Sequence, residues 1–93
     1  MYATVRVYAD SPDLADALAE REDEVKQLLS GIDGFEAYYL VRTADGAVSV
    51  SVYDNEAGAN ESNSAAANWI RENLPEVGGS TPQVSAGEVV ISA

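Results

Sequence analysis

Residues 35–73 read FEAYYLVRTADGAVSVSVYDNEAGANESNSAAANWIREN, and the spacing of their apolar residues changes part-way along. Over 35–43 and 47–54 apolar and polar side chains alternate, the two-residue period of a half-buried strand. From Asn55 onward the apolar residues recur at three and four, the period of an amphipathic helix. Asp45-Gly46 between the strands suits a two-residue type I′ hairpin turn. If Ala44 pairs with Ala47, Arg42 lies opposite Ser49, Val41 opposite Val50, Leu40 opposite Ser51, Tyr39 opposite Val52 and Tyr38 opposite Tyr53. Phe35, Ala37, Tyr39, Val41, Val48, Val50 and Val52 then share one face. Glu36, Tyr38, Leu40, Arg42, Ser49, Ser51 and Tyr53 share the other.

The helix is expected to start near Asn55 or Glu56 and to end at Leu74, because Pro75 cannot continue it; Gly58 weakens its first turns. At 100° per residue, Ala59, Ser62, Ala66, Trp69, Ile70 and Asn73 fall in one inner arc, with Asn63 and Leu74 at its edge. Asn60, Glu61, Ser64, Asn68, Arg71 and Glu72 face outward.

Working outward, residues 2–9 alternate Ala3, Val5, Val7 and Ala9 against Tyr2, Thr4, Arg6 and Tyr8, a first strand. Asp10-Ser11-Pro12-Asp13 marks a helix start, with Ser11 able to cap and Pro12 suited to the first turn. One stripe of Leu14, Leu18, Val25, Leu28, Leu29 and Ile32 predicts a single helix that Gly31 ends in the left-handed conformation. The stretch EVGGSTPQ, 76–83, reads as a loop before a last strand over 84–92, whose Gly87 suggests a bulge or close approach.

Strand, helix, strand, strand, helix, strand within 93 residues is a ferredoxin-like βαββαβ order, an α+β domain spanning 1–93 with a four-stranded antiparallel sheet and two helices on one face. The aliphatic strand face is expected under the helices, with Tyr39 pointing toward them. The uncovered face then presents Tyr2, Tyr8, Tyr38, Leu40 and Tyr53. So much aromatic surface on a chain that buries only roughly 60 to 68% of its unfolded area predicts a sheet-to-sheet homodimer.

Sixteen acidic residues against five basic ones give a net charge of −11, which repels nucleic acid and anionic membranes, so neither is expected as a partner. The acids are spread along helix faces and loops as a solvating coat, or as an adaptation to a salt-rich cell interior. Cysteine and histidine are absent, which removes disulfides, thiolate nucleophiles and the usual zinc and haem ligands. No metal site and no cofactor are expected. No run of about 18 apolar residues and no signal-like N-terminus occurs, and a cytoplasmic protein is expected.

On its element order, on Gly34-Phe35-Glu36-Ala37-Tyr38-Tyr39 opening the second strand, and on Ser62 through Trp69-Ile70-Arg71-Glu72-Asn73 in the second helix, nearly the whole chain resembles the dimeric α+β barrel proteins, in the branch of antibiotic biosynthesis monooxygenase-like domains. The resemblance implies a dimer and a pocket between helix and sheet. Its members include cofactor-free oxygenases of polyketide-like phenols, haem degraders, small-molecule isomerases and decarboxylases, and domains with no known activity. The haem degraders use a histidine that this chain lacks. The oxygenases carry an asparagine four residues before the helix tryptophan, where this chain has Ala65; Asn63 and Asn68 lie nearby without matching.

Tyr39, Ser62, Asn63, Trp69 and Asn73 are the candidate pocket residues. Buried Ser and Asn side chains need partners from backbone, water or ligand, and the indole N–H of Trp69 needs one as well. Arg6 and Arg42 are expected to neutralise carboxylates or, less simply, to clamp an anionic ligand. Two readings remain open: a homodimeric accessory protein that is non-catalytic or binds a small molecule, and a cofactor-independent monooxygenase or isomerase acting on a small aromatic or phenolic metabolite.

Overall fold

β3, Ala47–Tyr53, runs through the middle of the sheet, and its side chains are alternately buried and half-buried along its whole length. A computed structural model describes residues 1–77 and 81–93. β1 (Tyr2–Tyr8) pairs with β3 on one side and with β4 (Gln83–Glu88) on the other. β2 (Phe35–Arg42) pairs with the far edge of β3. The four-stranded antiparallel sheet has the order β2-β3-β1-β4, the ferredoxin-like α+β arrangement that the element order predicts.

The first helix is two. α1 (Leu14–Ala19) and α2 (Glu22–Ser30) are separated at Arg21, whose φ of −116° and ψ of 36° leave the helical region. The break lets Leu14 and Leu18 and then Val25 and Leu29 all reach one core. Ser11 does not cap the helix; its hydroxyl donates to Ala9 O at 3.2 Å. Gly31 ends α2 at an ordinary right-handed φ of −76°, and Gly34, at φ 84°, takes the left-handed position instead. α3 (Glu56–Asn73) has the expected extent, capped by Asn55, whose Oδ1 accepts from Gly58 N–H at 3.0 Å.

The hairpin register differs by two residues from the sequence reading. Arg42 lies opposite Ala47, Val41 opposite Val48, Tyr39 opposite Val50 and Tyr38 opposite Ser51. The connection is a four-residue loop, 43–46, closed by Thr43 N–H to Gly46 O at 3.0 Å. Gly46 presses against the end of β1, where a Cβ would stand 1.8 Å from Tyr8 O, and Asp45 O accepts from Ser11 N–H. These contacts hold the loop down on the β1–α1 corner, a constraint that a free two-residue turn would not meet. A shift of two preserves which side chains share a face, but a bulge between Phe35 and Ala37 moves Phe35 to the side of Tyr38.

The helices cover the opposite face from the one expected. Beneath them lie Thr4, Arg6, Tyr8, Tyr38, Leu40, Ser49, Ser51 and Tyr53. The uncovered face carries Ala3, Val5, Val7, Ala37, Tyr39, Val41, Val48, Val50 and Val52, of which Val7, Tyr39 and Val41 are exposed. Four of the five residues assigned to the open face are therefore inside: Tyr8 and Tyr53 are buried, and Tyr38 and Leu40 pack against the core. Tyr2, the fifth, is half-buried against the Tyr53 cluster and donates to Glu56 at 2.9 Å. Small residues explain the choice. Ala47, Ser49 and Ser51 on β3 and Ala59, Ser62 and Ala66 on α3 are all buried, and α3 packs on β3, so these small side chains let the layers approach closely where a valine row would hold them apart. The last strand ends earlier than 92, and Gly87 faces open space, with nothing within 4 Å of an added Cβ. Of the loop 76–83, Gly78, Gly79 and Ser80 lie outside the described residues.

Candidate functional site

α3 packs over β1 and β3, and α2 packs over β2 and α3; the space beneath them is the candidate site. Its organising side chain is Arg6, in the middle of β1 and only 2% exposed. A guanidinium cannot shed its charge on burial as an amine or carboxyl can, and taking one from water costs several kcal/mol unless it is paired. Arg6 forms no ion pair among the described residues. Its partners are neutral oxygens: Nη1 donates to Asn63 Oδ1 at 2.7 Å and more weakly to Ser62 Oγ at 3.5 Å, and Nη2 donates to Ser51 Oγ at 3.0 Å. Nε, and the hydroxyl of Ser49 on the neighbouring strand, find no hydrogen-bond partner among the described residues.

Around the guanidinium stand two phenols. Burial pushes Tyr38 up to about 12, although the Arg6 charge pulls the other way. Burial raises Tyr8 as well, opposed by the charge of Arg6 and by a hydrogen bond from it. Both are protonated at neutral pH and act as hydrogen-bonding groups, not as bases.

Beneath the helices a small hollow of about 20 Å³ is lined by Arg6, Tyr8, Leu18, Val25, Tyr38, Ser49 and Trp69, among others. That admits one water-sized sphere. It shares Leu18, Val25 and Tyr38 with an outer groove of about 260 Å³, whose walls also include Ala19 and Leu40 and whose rim is the ion pair Lys26–Glu22. Together they form a cleft with an apolar-aromatic mouth and a cationic floor. Among the described residues no three His, Cys, Asp or Glu side chains come together as a metal site would require.

Of the residues expected to line one pocket, the structure gathers some and disperses others. Ser62 and Asn63 reach the floor, both through Arg6; Ser62 also donates back to Ala59 O at 2.6 Å, the local satisfaction common for helix hydroxyls. Asn63 Oδ1 accepts a second bond, from Thr4 Oγ1 at 2.9 Å. Trp69 lines the hollow, with the Arg21 guanidinium 5.7 Å from its ring centroid. Asn73 is occupied at the helix end, donating to Trp69 O and accepting from Arg21. Tyr39 does not belong: it is 64% exposed on the uncovered face, because the face of the sheet that meets the helices is the other one. Arg42 pairs with Asp16, at the surface. Arg6, Thr4, Tyr8, Tyr38, Ser49 and Ser51 are the site residues that sequence periodicity assigned elsewhere. The signal that marks them is a lone arginine between β-branched residues, opposite a strand that alternates valine with serine.

No family model matches the sequence, and no curated protein matches it either. Solved structures do match in three dimensions. A protein from Mycobacterium tuberculosis superposes with a TM-score of 0.69 at 22% identity, covering 99% of this chain and 97% of that one. A candidate antibiotic biosynthesis monooxygenase from Nitrosomonas europaea gives 0.72 at 14% identity, covering 98% and 100%. A monooxygenase of Streptomyces coelicolor, solved in complex with the ligand nanaomycin D, gives 0.61 at 20% identity, covering 98% and 91%. The fold is that of the antibiotic biosynthesis monooxygenase-like proteins. At these identities the likeness is one of fold, and the chemistry of this chain has to come from its own residues.

Proposed function

We propose that this protein is a homodimeric small-molecule-binding protein that takes a small aromatic compound in the groove between α1–α2 and β2. The observation that carries the reading is the groove itself: about 260 Å³ walled by Leu18, Val25, Leu40 and the ring of Tyr38, with a charged pair at its rim. Such a groove, apolar-walled with few polar groups, suits a ligand of one or two rings and is smaller than the pockets that enclose larger ones. Tyr38 O–H, protonated well past neutral pH, supplies a donor for a phenolic or carbonyl oxygen. Neither phenol at the floor is suited to remove a proton at neutral pH, which favours binding over catalysis. The second subunit is inferred from the uncovered sheet face, whose rows of valine with Ala3, Ala37 and Tyr39 form the kind of apolar surface that proteins cover.

A second reading, cofactor-independent oxygenation or isomerisation of a small phenol, is favoured by the fold neighbours, two of which are described as monooxygenases and one of which holds nanaomycin D. A panel of phenols, hydroquinones and polycyclic aromatic ketones, followed by Trp69 fluorescence and by oxygen uptake, tests both. Saturable quenching without oxygen uptake is expected. Uptake that scales with protein concentration would move the conclusion to the second reading, and no quenching by any compound, with Leu40→Trp indistinguishable from wild type, would overturn both.

A further inference from the structure

The floor of the cleft poses a problem that the groove's ligand does not solve. Arg6 is a fully buried cation whose hydrogen-bond partners are Asn63, Ser51, Ser62 and the phenol of Tyr8, all uncharged. Polar oxygens solvate a charge but do not neutralise it, and buried charges in proteins are paired or bound to ions. The two phenols within reach do not supply a counter-charge, since burial holds both in the neutral form at neutral pH. Two polar atoms at this spot are also left over: Arg6 Nε and Ser49 Oγ, each buried, each on a residue that lines the hollow, and each with no partner among the described residues. Buried groups of this kind call for a partner. The space beside them limits what that partner is. At about 20 Å³ it takes one sphere of roughly the size of a water molecule. Aromatic rings, carboxylates and phosphates are too large.

We propose that the floor of the cleft is a binding site for a single monatomic anion, chloride in the first instance, held between Arg6 Nε and Ser49 Oγ. A halide is little larger than water, accepts hydrogen bonds from all directions, and supplies the charge that the neutral partners of Arg6 lack. The net charge of −11 repels anions from the surface at low salt, an effect that ionic strength screens, so occupancy rises steeply with salt. The site is independent of the aromatic ligand: a chain that binds no aromatic compound still binds the halide.

Crystals soaked in sodium bromide and measured at the bromine absorption edge test the site directly. An anomalous peak within about 3.5 Å of both Arg6 Nε and Ser49 Oγ is expected in the wild type. Absence of a peak there, when bromide sites appear on the surface of the same crystal, overturns the proposal. In solution, melting temperature is compared in sodium chloride and sodium gluconate at equal ionic strength. The wild type is expected to gain about 5 °C more in chloride between roughly 0.01 and 1 M. Arg6→Met removes the charge and is expected to respond alike to both salts. Ser49→Ala keeps the charge, serves if Arg6→Met does not fold, and is expected to shift the chloride midpoint about tenfold upward. Equal gains in the two salts for the wild type, or a chloride-specific gain that persists in Arg6→Met, overturn the proposal. So does an unchanged midpoint in Ser49→Ala.

Discussion

Arg6 Nη1 donates to Asn63 Oδ1 at 2.7 Å, tying the cation of β1 to the middle of α3. Thr4 Oγ1, one pleat along the same strand, donates to the same oxygen at 2.9 Å. One amide carbonyl thus satisfies two buried donors from β1, and both lose it together. Asn63→Ala is expected to cost about 2–4 kcal/mol, since each unsatisfied buried donor costs about 1–3 kcal/mol and a charged one more. Asn63→Asp keeps both bonds and sets a carboxylate against the guanidinium, and at neutral pH it is expected to be at least as stable as the wild type. Urea unfolding of the three proteins checks this. An alanine variant within about 0.5 kcal/mol of wild type, the range of ordinary surface substitutions, would show that Arg6 finds other partners at no cost.

The site is also felt at alkaline pH. The unfolded chain ionises Tyr38 near the ordinary phenol value of 10.0, while the folded chain holds it protonated to about 12. Stability due to the neutral phenol is therefore whole below pH 10 and is lost as pH rises from there toward about 12. Two units correspond to nearly 3 kcal/mol at most; about 1–2 kcal/mol is expected, because the ring keeps some contact with water at the groove. Tyr38→Phe removes this dependence. Its urea midpoint is expected to fall less than that of the wild type between about pH 9 and about pH 11.5. Parallel losses in the two proteins would mean that Tyr38 titrates like a solvated phenol.

Two glycines that look alike in sequence separate in structure. A Cβ on Gly58 would stand 2.9 Å from Tyr53 Cδ1 and 3.0 Å from Asp33 O. Tyr53 has nowhere to go, being fully buried, with its hydroxyl donating to Leu29 O at 2.8 Å and its ring edge-on to Phe35 at 5.8 Å. Alanine's helix propensity favours the substitution by about 1 kcal/mol, but overpacking costs about 1–3 kcal/mol and is expected to win, so Gly58→Ala destabilises. Gly87→Ala meets nothing within 4 Å and is expected to be neutral or slightly stabilising. Thermal melts of both variants, compared in sign, decide the matter.

What the sequence made legible follows from which signals are local. The change of period near Asn55 and the stop at Pro75 bound α3 correctly because side-chain periodicity and proline geometry are local. Alternation placed β3 for the same reason. The hairpin register missed by two because Gly46 and Asp45 answer to Tyr8 and Ser11 across the β1–α1 corner, contacts that no period records. The larger miss was the face of the sheet. The rule that aliphatic rows turn inward put Val48, Val50 and Val52 beneath the helices, yet the serine row lies there, because small residues let α3 close over Arg6. That reversal carried the site with it: Tyr39 left the pocket, Tyr8 and Tyr38 entered it, and an arginine read as a surface cation became its floor.

The same reversal moves the surface proposed for a dimer to the valine face. Val50 sits at the centre of the uncovered face, opposite Val5 on β1 and Tyr39 on β2, where a second sheet would pack about 10 Å away. Val50→Lys places a charge in the middle of that contact and away from the helices and the cleft. If two copies meet here, a lysine whose amine is stripped of water without a partner costs more than such an interface can spare. The variant is then expected to sediment as a monomer at micromolar concentrations where the wild type is a dimer, with an unchanged far-ultraviolet circular dichroism spectrum. A wild type that is itself monomeric under these conditions, or a Val50→Lys dimer as tight as the wild type, would place any self-association on another surface and leave the valine face uncovered.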